Sequence, residues 1–585
     1  MLNKKKTKEK TQEKNLSPTT STTFYCKMLS GLFFFLIAVF VYSYIIYPIF
    51  LNKLNKQKIP GPLHLKLSSF FILNIFRKEQ GIEYLENLHK RYGPIVQIAP
   101  NELSFNDIDS MKQIYLYGNF PKEYTTPKSK KIVTGFYSQF GNFNQRNLFS
   151  TGDTKLHLAK KKPLQKLYSK TFVMQQQSFI QGKINNLVKV LLNNKGTPID
   201  VYALFCSLAM DVVSGFEYGF PNSSDFINEL KYTNESLQID ETVFHSFRTS
   251  SSLWFYTTMF PSLYNFMVKF YQLDQKLDTG KQWIWNKLIK SVDLIDQEKE
   301  NKTSETTSVL ETLYKNYEKH LAKIGSEIAD HVLAGHETTG ITLSYITWQL
   351  SRPSNQHWQD KLFKEIDTQK DILGLGLSNT ESQLNYNELD QKCPILHAIV
   401  QEACRLHAAI PGSERRYVPY GKPLKYQSFV VPQGTMVSCQ PFSLHREARV
   451  FGKDVEDFKP ERWLRMENEL DSEYQSRIKE MEKHIMTFGQ GNRMCLGMHL
   501  ALIEIKACTA SIYGNPLLTH SRISKEWCTN ILANDKSAKI GYTGIGVKNK
   551  FDDPSVYKQL SDVDKMRMAD SYTTRPLFDE CWITF

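Results

Sequence analysis

The 585-residue sequence has nine cysteines but no C-x-x-C pair and no regular cysteine spacing. This argues against a zinc site or a disulfide framework and favours a globular part in a reducing compartment. No glycine-rich nucleotide fingerprint follows a predicted strand, no internal repeat is visible, and no nucleic-acid motif accompanies the scattered lysines. The net charge of +13 is therefore better explained by an acidic protein partner or an anionic membrane surface than by nucleic acid.

Charged residues are also absent from residues 28–51, an apolar run near the N-terminus. About 20 apolar residues span a bilayer, so this run is long enough for a transmembrane helix. A cleaved signal peptide is the alternative, but no small-residue cleavage pattern follows. Residues 1–27 are polar and lysine-rich, and we expect them to be disordered.

Proline and glycine positions and the periodicity of apolar residues predict several secondary-structure elements in the rest of the chain. Residues 92–105 are typical of a β-hairpin, and residues 326–352 of a long helix that Pro353 stops. Another helix should begin at Pro394. Residues 425–440 indicate two strands joined by a turn at Pro432-Gln433-Gly434.

The most informative segment is Phe488–Gly497, which reads F-G-Q-G-N-R-M-C-L-G and runs into an apolar stretch. Glycines at alternate positions permit a tight loop, and Arg493 adds a cation near Cys495. A helix N-terminus and loop amides would lower the pKa of that thiol. Taken alone, a cysteine is more often a small buried hydrophobe.

The pattern F-G-x-G-x-R-x-C-x-G resembles the haem-binding loop of cytochrome P-450 monooxygenases, with every fixed letter present. The resemblance covers nearly all of residues 59–585 and is nearest to the fungal, microsomal pisatin demethylase and benzoate 4-hydroxylase groups. It implies a mainly α fold with small β-sheets, the cytochrome P-450 fold, preceded by one N-terminal transmembrane helix. The implied cofactor is heme b, iron protoporphyrin IX, with Cys495 as the axial thiolate and sole metal ligand.

The resemblance also implies a division of the chain. A polar basic tail (1–27) precedes a transmembrane anchor (28–51), a linker with a proline hinge (52–62) and a haem-thiolate catalytic domain (63–585).

Residues 334–339, Ala-Gly-His-Glu-Thr-Thr, lie inside the predicted long helix and resemble the oxygen-activation motif of this family. By resemblance, Glu337 relays protons and the Thr338 hydroxyl assists productive cleavage of the oxygen–oxygen bond. Glycine beside threonines weakens a helix, so we expect a local widening here. The alternative is that Glu337 is an acidic surface residue beside a kink in this helix, with no catalytic role. His336 is interpreted as packing or solvent-facing, not as a metal ligand.

Glu402 and Arg405 are three residues apart on the helix after Pro394, so they share one face and can pair. Arg462, within the sequence Pro-Glu-Arg-Trp, resembles the third member of the Glu-Arg-Arg cluster of this family. The implied role is structural, because a fully bonded buried ion cluster would fix the position of the cysteine loop.

Haem propionates need cations, and by position in the resemblance Arg416 and Arg493 are the candidates. His157 and Lys161 match positions where the family carries Trp or His followed by Arg. Lys161 differs from the arginine of the family, because an ammonium is a point charge whereas a guanidinium can bind a carboxylate through two N–H groups. An ordinary basic surface over residues 160–162 is the alternative.

The implied activity is insertion of one atom of dioxygen into a lipophilic or aromatic small molecule. NADPH-cytochrome P-450 reductase would supply the electrons, with cytochrome b5 as an optional donor. The alternatives are an oxygen-independent haem-thiolate isomerase or dehydratase, or a non-catalytic haem-binding membrane protein. The presence of Glu337 and Thr338 argues against both.

The regions expected to line the pocket are rich in aromatic and apolar residues, and they are residues 124–147, 220–266, 410–417 and the C-terminal tail. The expected location is the endoplasmic reticulum membrane, single-pass, with the catalytic domain in the cytosol. The lysine-rich tail favours the opposite orientation by the positive-inside rule.

Overall fold

The computed structural model describes residues 18–126, 132–133, 135–229, 231–233, 236–238, 263, 266, 269–270, 274–301, 308–375, 383–524, 560–577 and 580–585. The chain is mainly α-helical with small sheets, which confirms the expected fold class. The α-helices are Pro18–Val41, Leu63–Leu67, Phe70–Arg77, Gly81–Tyr92, Ile108–Met111, Thr154–Lys161, Lys170–Gln175, Gln177–Asn193, Val201–Tyr218, Phe226–Glu229, Asp274–Asn301, Val309–Asn316, Leu321–Ser351, Gln356–Thr368, Lys370–Leu373, Tyr386–Lys392, Pro394–Leu406, Pro441–Leu444, Ala448–Phe451, Asp471–His484, Met498–Tyr513 and Asp562–Lys565. Short 3-10 helices cover Asn55–Gln57, Phe136–Phe140, Phe220–Asn222, Pro353–Asn355, Pro460–Trp463 and Gly491–Arg493, and π-helices cover Tyr42–Leu51 and Lys112–Tyr117.

The strands are short and fall into separate small sheets. They are β1 (Ile95–Ala99), β2 (Glu102–Phe105), β3 (Tyr124–Thr125), β4 (Ile132–Val133), β5 (Ile199–Asp200), β6 (Lys231–Thr233), β7 (Ser236–Gln238), β8 (Arg416–Tyr417), β9 (Leu424–Tyr426), β10 (Phe429–Val431), β11 (Met436–Cys439), β12 (Arg522–Ile523) and β13 (Trp582–Thr584). A four-stranded sheet has the order β1-β2-β11-β8, a three-stranded sheet has the order β12-β13-β5, and β3–β4, β6–β7 and β9–β10 form separate pairs.

The predicted hairpin over residues 92–105 is confirmed, because β1 and β2 pair antiparallel with Val96 opposite Ser104. The prediction of two strands joined at Pro432-Gln433-Gly434 is wrong. Three strands form, and β10 pairs with β9 whereas β11 runs parallel to β2. The turn, with Gly434 at φ +77°, redirects the chain between two sheets. Within the first sheet, Val437 and Cys439 of β11 are buried in the same cluster as Leu103 and Phe105 of β2.

The helix Leu321–Ser351, here called the central helix, confirms the long helix that the sequence predicts and ends before Pro353. It packs along Val201–Tyr218, every residue of which is buried. A Cβ on Gly340 would lie 2.9 Å from the main-chain nitrogen of Cys206, so glycine is required for this close contact. The main hydrophobic core forms around these two helices.

The N-terminal segment differs from the expectation of a disordered tail up to residue 27, because the first described helix already begins at Pro18. Helix extension beyond an apolar run is cooperative and needs no new nucleus. Residues 28–48 contain an 18-residue window with a mean hydropathy of 2.3, none of which is buried against the rest of the chain, so they form a candidate membrane span. The helix Val201–Tyr218 is less apolar, with a mean hydropathy of 1.2, and it is wholly buried and belongs to the core.

The segment expected to be a linker packs against the domain that follows it. Leu54 and Ile59 are buried in the same cluster as Leu103 of β2. The carbonyl of Pro60 accepts a hydrogen bond of 2.8 Å from the amide of Gln97. Residues 52–62 therefore join the apolar helix rigidly to the first sheet.

Candidate active site

The cysteine loop, Phe488–Gly497, folds back on itself immediately before the helix Met498–Tyr513. Gly489 and Gly491 have φ values of +70° and +67°, which L side chains rarely adopt. The amide of Cys495 donates a 2.8 Å hydrogen bond to the carbonyl of Phe488, and this bond closes the loop.

Cys495 is exposed, whereas Cys206, Cys393, Cys404, Cys439, Cys508 and Cys581 are buried. Solvent reaches the sulfur, yet protein surrounds it closely enough that burial raises the pKa of the thiol. The amide of Gly497 and the ammonium of Lys161 act in the opposite direction and lower that pKa. An amide and a cation directed at one accessible sulfur stabilise a thiolate that binds metal. Cys404, in the core, has its thiol pKa raised by burial to about 12.

His157 and Lys161 lie one turn apart on the helix Thr154–Lys161, and both are buried. The Lys161 ammonium donates to the main-chain carbonyls of Asn492 and Met494, at 3.1 and 2.7 Å. Lys161 therefore binds the cysteine loop itself. The structure places this lysine beside the sulfur and accounts for its electrostatic effect on Cys495.

The guanidinium of Arg493 points away from Cys495 toward the start of the same helix. It donates to the carbonyls of Thr151 and Gly152, at 2.6 and 2.8 Å. Its buried Nε has no hydrogen-bond partner among the described residues, and neither has the buried Nδ1 of His157. Burial, followed by the charge of Arg493 and other nearby cations, lowers the pKa of His157 to about 2, so its imidazole is neutral.

Arg416 on β8 is 4% exposed. Its guanidinium donates to the hydroxyl of Tyr137 at 3.3 Å and forms an ion pair of 3.6 Å with Glu414. Sequence reasoning missed the cation that lies next to this pair. The ammonium of Lys122 lies 3.8 Å from the centre of the Tyr137 ring. A single lysine after Phe-Pro gives no signal of this position in the sequence.

These basic side chains form a series of neighbours from the cysteine loop to β8. Among the described residues, Glu414 is the only carboxylate that forms an ion pair with any of them. Such an excess of buried positive charge needs anions for compensation. A cofactor that carries two carboxylates and a thiolate-binding metal fits this set of residues, and haem has both. The members of the series are Lys122, His157, Lys161, Arg416 and Arg493.

The motif residues Glu337 and Thr338 are half-buried on the central helix. The Thr338 hydroxyl donates to the carbonyl of Ala334 at 2.8 Å, which leaves the lone pairs of its oxygen free to accept. Glu337 accepts a 2.9 Å hydrogen bond from the hydroxyl of Thr573. Sequence reasoning missed Thr573, because it lies in the C-terminal tail.

The local widening expected at this motif is absent, since the central helix runs through it as regular α-helix. Gly335 serves close packing instead, because a Cβ there would lie 2.6 Å from Cγ2 of Val213. His336 is buried, with Nδ1 3.0 Å from the carbonyl of Val332, as expected of a packing residue.

A buried ion cluster centres on Glu402, which is wholly inaccessible. Arg405 binds both of its carboxylate oxygens at 2.8 Å, in a bidentate arrangement. Arg462 adds a bond of 3.2 Å. The indole of Trp463, which sequence reasoning did not include, donates to the same carboxylate at 2.9 Å.

The cluster reaches the cysteine loop through His445. Arg405 donates to the carbonyl of His445 at 3.0 Å, and Nδ1 of His445 lies 3.0 Å from the carbonyl of Arg405. Burial lowers the pKa of His445 to about 3, so its ring is neutral and Nε2 accepts the amide of Met486 at 2.8 Å. The entry into the loop is thereby fixed.

Aromatic rings collect beside the motif. These rings come from Phe149 and from two of the regions expected to line the pocket, residues 124–147 and the C-terminal tail. Most of residues 220–266, another region expected to line the pocket, lies outside the described part of the chain. Ring centroids within the group are 5.2 to 5.9 Å apart. The hydroxyl of Tyr572 has no hydrogen-bond partner among the described residues. The group consists of Phe136, Phe140, Phe149 and Tyr572.

Sequence comparisons show which proteins this chain is similar to. Residues 60–515 match the profile of the family described as Cytochrome P450. Cytochrome P450 monooxygenase FGM1 of Gibberella zeae is 24% identical over 471 residues, covering 78% of this chain and 86% of that protein. Conidiogenone synthase PchP450 of Penicillium rubens is 26% identical, covering 80% and 88%. Cytochrome P450 monooxygenase cfoH of Aspergillus candidus is 27% identical, covering 82% and 86%.

Proposed function

The chain belongs to the cytochrome P450 family, and from that premise we propose that it is a membrane-anchored monooxygenase that acts on a lipophilic small molecule. Similarity to fungal cytochrome P450 monooxygenases over most of the chain supports the general haem-thiolate monooxygenase activity. The accessible Cys495, beside the ammonium of Lys161, is the observation that carries the proposal.

We assign the cofactor as heme b, whose iron activates dioxygen when the cofactor is bound. Cys495 would hold the iron, while Lys161 and the amide of Gly497 stabilise the negative charge on the sulfur. Arg416 and Arg493 would hold the haem carboxylates as charged donors. His157, neutral in this environment, would contribute one N–H.

Proton delivery is assigned to Glu337 and Thr338. The Thr338 hydroxyl donates a hydrogen bond to the carbonyl of Ala334, so its oxygen is oriented to accept a hydrogen bond from a water molecule. Glu337, oriented by Thr573, would pass protons toward this oxygen. Thr573 is a positioning residue in this arrangement.

Thr338→Ala is expected to keep haem content near the wild-type level but to divert reducing equivalents to hydrogen peroxide. The change removes a hydroxyl that contacts neither the sulfur nor the carboxylate-binding cations. Product formed per NADPH should fall about tenfold or more, since a positioned group that takes part in proton transfer contributes about 10² to 10⁴ in rate. Thr342→Ala is the matched control, because its buried hydroxyl bonds the carbonyl of Thr338 one turn along. Equal coupling in both variants would contradict the role of Thr338.

The aromatic group at Phe136, Phe140 and Tyr572 supports an apolar or aromatic substrate, because aromatic rings offer few hydrogen bonds to a polar molecule. Electrons would come from an NADPH-dependent reductase. The decisive assay measures reductase-dependent NADPH consumption with candidate substrates selected by a shift of the haem Soret band. A peroxide isomerase would turn over without reductase or NADPH, and a silent haem protein would show neither reaction.

Glycosylation acceptors test the membrane orientation. We propose an endoplasmic reticulum anchor with everything after residue 51 in the cytosol. The sequons at Asn222, Asn234 and Asn301 would then face the cytosol and stay unglycosylated. Endoglycosidase treatment of the membrane-bound Asn15→Gln variant, which lacks the sequon of the tail, should therefore leave its gel mobility unchanged. A mobility shift that disappears when Asn222, Asn234 and Asn301 are all replaced by Gln would place the catalytic domain in the lumen.

A further inference from the structure

A tyrosine, a glutamate and a histidine meet in the core beside the cysteine loop. The hydroxyl of Tyr168 donates to Oε1 of Glu217, near the end of the helix Val201–Tyr218. Nδ1 of His331, on the central helix, lies 3.1 Å from Oε2 of the same carboxylate. Glu217 is wholly buried, Tyr168 is 5% exposed and the side chain of His331 is 8% exposed. The hydroxyl, carboxylate and imidazole of this buried triad therefore form one continuous hydrogen-bonded chain.

The charges of the buried triad are set by burial and by the carboxylate. Burial lowers the pKa of His331, but Glu217 opposes this so strongly that the pKa is raised to about 9. Burial and then the charge of Glu217 raise the pKa of Tyr168 well above its usual value. Near neutral pH the triad is therefore a phenol that keeps its proton, an ionised carboxylate and a protonated imidazole.

Tyr168 lies between the cysteine loop and the central helix. A Cβ on Gly497 would lie 4.0 Å from Cε1 of Tyr168, and the charge of the Cys495 sulfur acts on the Tyr168 hydroxyl. The Tyr168 ring centroid also lies 6.0 Å from that of His331, which precedes Thr338 by about two turns of the central helix. Tyr168 is therefore a neighbour of both parts of the site assigned to the haem.

Packing alone does not account for the buried triad. Removing a glutamate and a protonated histidine from water is costly, and apolar residues of similar volume are often at least as stable in such places. Nε2 of His331 is also buried with no hydrogen-bond partner among the described residues, which adds to that cost. What the triad offers, and apolar residues do not, is a phenol whose proton is already shared with a base.

A phenol bonded to a base loses an electron more easily than one without a base. Removal of the electron makes the hydroxyl strongly acidic, so its proton needs an acceptor, and Glu217 is that acceptor for Tyr168. Tyr137 also donates to a carboxylate, Glu414 at 3.1 Å, but its oxygen accepts a bond of 3.3 Å from Arg416. A cation at the oxygen disfavours loss of an electron. Among the described residues, no cation donates to the oxygen of Tyr168.

We propose that Tyr168 is a redox-active tyrosine, which gives one electron to the haem after a peroxide or a peracid has oxidised the haem and no substrate takes up the oxygen. The hydroxyl proton of Tyr168 passes at the same time to the carboxylate of Glu217, so a neutral tyrosyl radical and a carboxylic acid form. One electron from the reductase and return of that proton restore the triad. His331 is a positioning residue, because it holds the carboxylate toward the phenol. This inference rests on the proposed haem-thiolate function and adds to it a protection of the haem against its own oxidant.

The test uses the ferric holoenzyme without substrate, mixed with meta-chloroperoxybenzoic acid and frozen rapidly. Wild type should show the electron paramagnetic resonance signal of a tyrosyl radical, which narrows when the protein carries ring-deuterated tyrosine. Tyr168→Phe should lose this signal while keeping its haem, because the change removes only a hydroxyl, and its haem should bleach faster under the peracid. Glu217→Gln should lose the signal as well, because an amide keeps an acceptor oxygen but does not take the proton.

Tyr218→Phe is the matched control, because Tyr218 is buried next to Glu217 but its hydroxyl donates to the main-chain carbonyl of Ile284, at 3.2 Å, which is no base. This variant should keep the radical and the wild-type rate of bleaching. If Tyr168→Phe yields no holoprotein, Glu217→Gln decides alone.

Three results would overturn the proposal. They are a wild-type protein that forms no tyrosyl radical, a radical or a bleaching rate that is unchanged in the Tyr168→Phe variant, and a radical that disappears in Tyr137→Phe instead. Absence of a thiolate spectrum in the wild-type protein, recorded before the peracid is added, would refute the proposed function itself.

Discussion

Cys495→Ser is expected to abolish the thiolate signature of the reduced carbon monoxide complex and to lower monooxygenase activity to background. Cys495 is exposed, whereas Cys508 and the other cysteines of the core are buried, and Lys161 and the amide of Gly497 stabilise the negative charge on the Cys495 sulfur. A serine hydroxyl at this position stays protonated near neutral pH and is a poor ligand by comparison. The spectrum of the purified variant, recorded before and after reduction under carbon monoxide, measures the effect.

Cys508→Ala is the matched control for this experiment. Cys508 lies on the helix that follows the cysteine loop, but its side chain is fully buried in the core. Its removal should cost some stability and leave the thiolate spectrum intact. An unchanged carbon monoxide spectrum in Cys495→Ser, or its loss in Cys508→Ala, would show that the ligand is misassigned.

Glu402→Ala is expected to give little or no folded holoprotein. The change leaves Arg405 buried with no carboxylate partner among the described residues, leaves Arg462 with Asp454 alone, and deprives the indole of Trp463 of its acceptor. Breaking such a cluster costs about 3 to 5 kcal/mol, a large part of the stability of a typical domain. Holoprotein yield and the thermal unfolding midpoint report the loss.

Glu461→Ala serves as the control, because Glu461 is adjacent to Arg462 in the chain but exposed. It should behave as wild type in both measurements. A Glu402→Ala protein with normal yield and midpoint would mean that the arginines find other partners, and the cluster would not be needed to position the loop.

Several features were predictable because their signals are local. The cysteine loop has its glycines and cysteine within ten residues, and Glu402 and Arg405 share one helical face. The long helix follows from periodicity and from the proline after it. In each case the residues that interact are close in sequence, and spacing alone brings them together.

Features that depend on distant segments were missed. The turn at Pro432-Gln433-Gly434 is real, but the partner of the strand after it is β2, far earlier in the chain. Thr573 gains its importance only from its contact with Glu337, 236 positions earlier, and Lys122 only from the charges of Arg416 and Arg493, which lie far later in the chain. A single buried lysine or threonine has no periodic pattern, so no reading of the sequence separates it from a surface residue.

The glycine contacts of the central helix determine which wall of the pocket is rigid. A Cβ on Gly335 would meet the side chain of Val213 and one on Gly340 the main chain of Cys206, so a larger residue at either position would push this helix away from Val201–Tyr218. We therefore expect substrates of different shape to be accommodated by the opposite wall, where Phe136 and Tyr572 belong to short connecting segments. Engineering for new substrates should begin with those rings and leave the two glycines unchanged.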